Sequence, residues 1–99
     1  MAKGDRINMK KSDAMIKMLI TSQDTNSEIH IGITYRDDVV ACGVHIVPDV
    51  MIVGNWVEIT DKMGLSDFYV SFDISDEVEY DEEMAEYTLC IGDIKIIIS

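Results

Sequence analysis

Apolar residues recur with a helical period near the start of the chain and with a period of two from Glu28 onward. Met15, Met18 and Leu19 fall at i, i+3 and i+4, with Ile16 and Ile20 alongside. That spacing puts one apolar stripe on a helix and predicts an amphipathic helix over 13–22. Ser12 reads as its N-cap, and Asp13 suits the first turn, where the helix dipole is positive. The polar run 22–27 (SQDTNS) reads as a loop.

Ile29, Ile31, Ile33 and Tyr35 then alternate with His30, Gly32 and Thr34, the pattern of a half-buried strand. The next strand is expected over 39–47. A two-residue turn at Asp37-Asp38 pairs Tyr35 with Val40, Ile33 with Cys42, Ile31 with Val44 and Ile29 with Ile46. All of these side chains then share one face. On the opposite face His30 meets His45, and Gly32 meets Gly43. Facing glycines leave a trough that a backbone, a helix or a ligand can approach closely.

Gly54-Asn55 suits a tight turn between strands over 50–53 and 56–59, with a short helix as the alternative, and Trp56 is expected in the core. Residues 61–67 form a loop around Gly64. Phe68, Val70, Phe72 and Ile74 alternate again, and the even positions resume at Val78 and Tyr80, so this strand is expected to run to about Tyr80. A turn at Glu82-Glu83 pairs Tyr80 with Ala85, Val78 with Tyr87 and Ile74 with Ile91. A helix over 76–85 is the alternative. Gly92-Asp93 closes a last hairpin that pairs Ile91 with Ile94, Leu89 with Ile96 and Tyr87 with Ile98. The expected fold is α+β. One N-terminal helix precedes a mostly antiparallel sheet of five to seven strands built from hairpins, with contacts mainly between neighbours in sequence.

Ninety-nine residues with 47% hydrophobic content fit a single domain, 1–99, rather than a disordered chain. Residues 1–11 are expected to be a flexible basic segment. The formal net charge is −11, and its placement is uneven. Residues 1–20 hold five basic groups and two acids, whereas residues 21–99 hold three basic groups and seventeen acids. The basic start is expected to lie against the acidic body. Such a charge disfavours nucleic acid and anionic membranes and favours a basic partner. No apolar run approaches the ~20 residues of a membrane span, and no secretory signal is evident, so a cytoplasmic location is expected. Cys42 and Cys90 are then expected as reduced, buried thiols.

The densest feature is the run 73–86, with eight carboxylates and no Lys, Arg or His. In a hairpin, Asp73, Glu77, Glu79, Asp81 and Glu86 would line the outer face, with Glu82 and Glu83 at the tip. Alternate strand residues stand roughly 6.7 Å apart, twice the ~3.3 Å rise. Phosphates along one nucleic-acid strand repeat at ~3.4 Å of axial rise, so a rigid carboxylate row can fill Lys/Arg sites built for phosphates. Metal readings are weaker. A calcium loop counted from Asp73 needs Gly and Glu where the chain has Val78 and Met84. Cys42 and His45, three apart on a strand, point to opposite faces. No phosphate loop, nucleophile elbow or zinc-protease motif is present.

These features lead us to expect no catalytic residue, no cofactor and no metal. They point to a small acidic inhibitor of a basic, nucleic-acid-handling enzyme or nucleoprotein complex. In size, charge and layout alone, without a shared motif, the chain is similar to phage-type anti-restriction and anti-CRISPR proteins and to immunity proteins against nuclease toxins. The alternative is a homo-oligomer, such as a dimer, that binds a small ligand through His30, Gly32, Gly43 and His45, or a structural subunit.

Overall fold

The computed structural model describes residues 3–99, with side chains described from Lys11 onward. The expected flexible segment 1–11 falls largely on residues whose side chains lie outside that description. Helix α1 spans Lys3–Thr25, longer at both ends than the apolar stripe predicts. Ser12 is therefore not a cap. It is buried inside the helix and shares the inward stripe with Met15, Ile16 and Leu19. The helix stops where the backbone turns left-handed at Asn26 (φ 54°). The Ser27 amide donates to the Ser22 carbonyl (2.9 Å), closing a Schellman-type end. Lys62 Nζ donates to the Gln23 carbonyl and to Asn26 Oδ1, both at 2.7 Å, and sets a cation at the negative end of the helix.

Eight strands follow rather than five to seven, and they divide between two antiparallel sheets. They are β1 (Ile29–Tyr35), β2 (Asp38–Ile46), β3 (Pro48–Val53), β4 (Trp56–Asp61), β5 (Tyr69–Asp73), β6 (Glu77–Asp81), β7 (Glu86–Ile91) and β8 (Ile94–Ile98). The larger sheet has the order β2-β1-β8-β7-β6, and the smaller has β3-β4-β5. Inward residues of both sheets, among them Ile29, Ile31, Leu89, Ile98, Val57 and Phe72, share one core with Met15 and Leu19 of α1. Burial of these side chains at ~25 cal/mol per Å² is the main stabilising term.

The registers at Gly54-Asn55 and Gly92-Asp93 are as the alternation predicts: Val53 pairs with Trp56, and Ile91 with Ile94. Three expectations need correction. The first strand pair follows the expected register only over Ile29–Ile31. Beyond it Ile33 pairs with Ala41 and Tyr35 with Asp38. Arg36 and Asp37 (φ 51° and 67°) make the turn, and β2 absorbs two extra residues as bulges, one of them at Gly43 (φ 68°).

The second correction concerns the strand expected to run from 68 to 80. It breaks after Asp73 and changes sheet. Asp73 Oδ1 accepts from the Ser75 amide (2.9 Å) and hydroxyl (2.7 Å), while Asp76 Oδ2 accepts from the Asp73 amide (2.9 Å). These side chains supply the turn that alternation alone does not reveal.

The third correction concerns locality. β8 pairs with β1 as well as β7, so the sheet joins the two ends of the strand region. The Arg36 amide donates to the Asp93 carbonyl (3.0 Å), and Arg36 Nε pairs with Asp93 Oδ2 (3.3 Å), which ties the two turns together.

Candidate functional site: the outward face of the five-stranded sheet

Strand alternation assigns the outward face. From β1 and β2 come His30, Gly32 and His45. From β8, β7 and β6 come Lys95, Ile97, Thr88, Glu86, Cys90, Glu77, Glu79 and Asp81. The acidic run is a hairpin, as expected, and not a helix. Its turn holds four residues rather than two: Asp81 pairs with Glu86, Tyr80 with Tyr87 and Val78 with Leu89. Asp81 organises that turn by accepting from the amides of Glu83 (3.0 Å) and Met84 (3.3 Å), and Ala85 closes it at φ 53°. The slip is by two residues, so every side chain keeps its face.

Glu77, Glu79 and Asp81 stand exposed along edge strand β6, and Glu82 and Glu83 are exposed in the turn. Glu86 is half-buried beside Asp81. Asp73 does not join this row. It lies at the end of β5 in the other sheet, where hydrogen bonds from the Ser75 side chain and amide hold its carboxyl below the ordinary range. Among the described residues the only ion pair is Arg36–Asp93, so no carboxylate of the hairpin is in a described ion pair, although Lys95 stands on the same face opposite Cys90. Among the described residues Lys11 and Lys17 form no ion pair, and the basic side chains before them lie outside the description.

The two-residue slip brings Cys90 opposite Glu77, a contact the expected register hides. Ligand atoms of Glu77, Glu79 and Cys90 lie within 4.8 Å of one another, and they are the residues that could hold a cation. Burial pushes the Cys90 thiol up, Glu79 and Glu77 push it further, and the Lys95 ammonium opposes them in part. A thiol held protonated is a poor metal ligand. Both cysteines are free, and Cys42 is exposed rather than buried, because the bulges turn that part of β2 outward.

At the other end of the face the His30 and His45 rings stack with centroids 4.1 Å apart and planes 10° apart. Beside them is an open depression of about 250 Å³, lined by His30, Gly32, Gly43, Glu86, Ile97 and Ser99. The depression differs from the expected trough in two ways: His45 does not line it, and the bulge at Gly43 breaks the direct pairing of Gly32 with Gly43. It reaches across β8 to Glu86, so the carboxylate nearest the hairpin turn forms part of its wall.

The smaller sheet presents a second exposed surface. Trp56 is 45% exposed, contrary to the expectation of core packing, because Val57 and Ile59 take the inward positions on β4. Tyr69, also exposed, donates to Glu58 Oε1 (2.8 Å), and this bond raises its phenol pKa.

The features define an α+β domain: one helix on two antiparallel sheets, with a carboxylate hairpin and a glycine-floored trough on the larger sheet. No protein-family model, curated protein or solved structure matches the chain. No helix among the described residues is long and apolar enough to cross a membrane.

Proposed function

We propose that this protein is a noncatalytic inhibitor that binds a basic, nucleic-acid-handling protein or complex through its carboxylate face. The observation that supports the reading is the β6–β7 hairpin. It holds Glu77, Glu79 and Asp81 outward in a row, with Glu82 and Glu83 at its tip and none of them in a described ion pair. The hairpin carries its charges at ~6.7 Å intervals, on the scale of alternate phosphates. Its field steers a basic partner, and carboxylates that pair with Arg or Lys then occupy the substrate channel. Anti-restriction, anti-CRISPR and nuclease-immunity roles all fit this mechanism.

The test is affinity capture from host extract with competition by duplex DNA. The expected captured protein is a nucleic-acid-binding one that DNA displaces and that is lost as salt rises from 50 to 500 mM. Changing Glu77, Glu79, Glu82 and Glu83 together to Lys should abolish capture while the far-UV spectrum is unchanged. Capture that survives this change refutes the carboxylate-face reading.

The trough supports a second reading, a small-ligand-binding homo-oligomer, because Gly32 and Gly43 both line a depression. Native mass measurement separates the two. A dimer carrying a small molecule, lost on combined His30→Ala and His45→Ala, favours this alternative.

A further inference from the structure

We infer that the trough is a socket for an arginine side chain of the basic partner, so that hairpin and trough form one interface. The inference rests on the carboxylate-face reading and specifies the chemistry of the anchoring residue.

The wall and floor of the trough match a guanidinium on a methylene stem. Glu86 supplies a half-buried carboxylate, and among the described residues its side chain has no ion pair or hydrogen bond. A carboxylate accepts two parallel N–H donors from a guanidinium, which a lysine ammonium cannot offer in that geometry. Ile97 supplies apolar surface for a methylene stem. Gly32 and Gly43 remove side chains where the stem must pass, and a Cβ added at Gly32 would meet nothing nearer than the Ala41 carbonyl at 3.9 Å.

His45 covers one face of the His30 ring, and the strand order puts β8 and β7 on the other side. His30 and Ser99, its hydrogen-bonded neighbour just past β8, both line the depression, and planar guanidinium groups stack on rings like that of His30. At about 250 Å³ the space is smaller than a typical small-molecule pocket (~300–1,000 Å³) and suits a single side chain. The negative hairpin begins next to it, because Glu86 pairs with Asp81. An arginine set among other basic residues therefore meets a socket at one end of a row that holds its neighbours. Buried arginines in close-fitting pockets are among the strongest anchors of protein interfaces.

The test uses four probes: a blocked tetra-arginine peptide, the matching tetra-lysine peptide, N-acetyl-L-arginine amide and N-acetyl-L-lysine amide. Each is titrated into the intact protein at pH 7.5, with amide chemical shifts as readout. The arginine peptide should shift His30, Gly32, Gly43, Glu86 and Ile97 together with the hairpin. The lysine peptide should shift the hairpin and leave Gly32 and Gly43 in place. Glu86→Gln should weaken the arginine peptide at least tenfold, toward the lysine peptide. Gly32→Val should do the same by filling the trough, and the open space at that Cβ position lets this variant fold.

Equal affinities and equal shift patterns for the two peptides overturn the socket. So does an arginine peptide indifferent to both substitutions. If N-acetyl-L-arginine amide binds as tightly as the peptide, the trough is a small-molecule site and the partner-residue assignment fails. Arginine-specific shifts confined to the trough, with a hairpin that responds to neither peptide, would sink the carboxylate-face reading and with it the joint interface. Binding of both peptides at the hairpin alone removes the socket and leaves that reading standing.

Discussion

Val78 is the one fully buried side chain on β6, and it sits between the exposed Glu77 and Glu79. It faces Leu89, which is also fully buried, so the acidic strand is fastened to the core at a single apolar point. Val78→Ala deletes two methyl-sized groups. At ~0.8 kcal/mol per group the transfer loss is about 1.6 kcal/mol. The cavity left against Leu89 raises the cost to roughly 2–3 kcal/mol. The neighbouring Tyr80 and Tyr87 rings, 4.7 Å apart, contribute about another 1 kcal/mol to the same hairpin and stay in place. The loss should appear locally as well as globally. A reduction of about 2 kcal/mol in the opening free energy of β6 speeds amide exchange there roughly 30-fold. Native-state hydrogen exchange, with a urea melt alongside, measures both. A destabilisation under about 0.5 kcal/mol, or unchanged exchange on β6, would show that Val78 does not hold the carboxylate row in place.

Three further outcomes are expected. Cys90 should react with a thiol reagent at pH 8 more slowly than the exposed Cys42, since burial and the two glutamates hold its thiol protonated; Glu77→Gln with Glu79→Gln should lower its pKa and speed it several-fold, as followed by mass spectrometry. Asp73 is ionised more readily in the folded chain than in the unfolded one, so its contribution to stability is present above the ordinary carboxylate range and lost as pH falls through its lowered value. Ser75→Ala should move the Asp73 carboxyl titration, read by carbon NMR, back toward ordinary values. Asn26 holds the left-handed helix end, so Asn26→Val should cost roughly 1–2 kcal/mol and lower the melting temperature by about 5–10 °C, whereas Asn26→Gly keeps the conformation and should cost much less.

Much of this architecture is legible in the residues, because strand parity is robust. Ile29, Ile31, Ile96, Ile98 and Leu89 face inward whichever exact partner each one takes. A register error of an even number of residues, as at Tyr80–Tyr87, leaves every face unchanged. For that reason the acidic face and the His30/His45 pair follow from alternation, whereas the contact between Glu77 and Cys90 does not. Features set by side-chain-to-backbone hydrogen bonds are less visible. The Asp73–Ser75–Asp76 turn lies within a clean alternating pattern, and only its Asp and Ser content hints at a break. The length of α1 is hidden for another reason: its first turns extend well before the apolar stripe begins. Trp56 illustrates the limit of residue type as a guide. Its size suggests burial, but position on β4 decides, and Val57 and Ile59 hold the inward positions.

The pairing of β8 with β1 has a kinetic consequence. The hairpins β1–β2 and β7–β8 join residues close in sequence, and such units form within microseconds. The β1–β8 ladder joins residues separated by most of the chain, and contacts of that kind form late. The wall that carries Glu86 belongs to one side of this ladder and the His30 wall to the other. The trough is therefore assembled by the last docking step of the sheet. A chain with the β1–β2, β6–β7 and β7–β8 hairpins formed and this ladder unmade already displays the full carboxylate row while its trough is still in two halves.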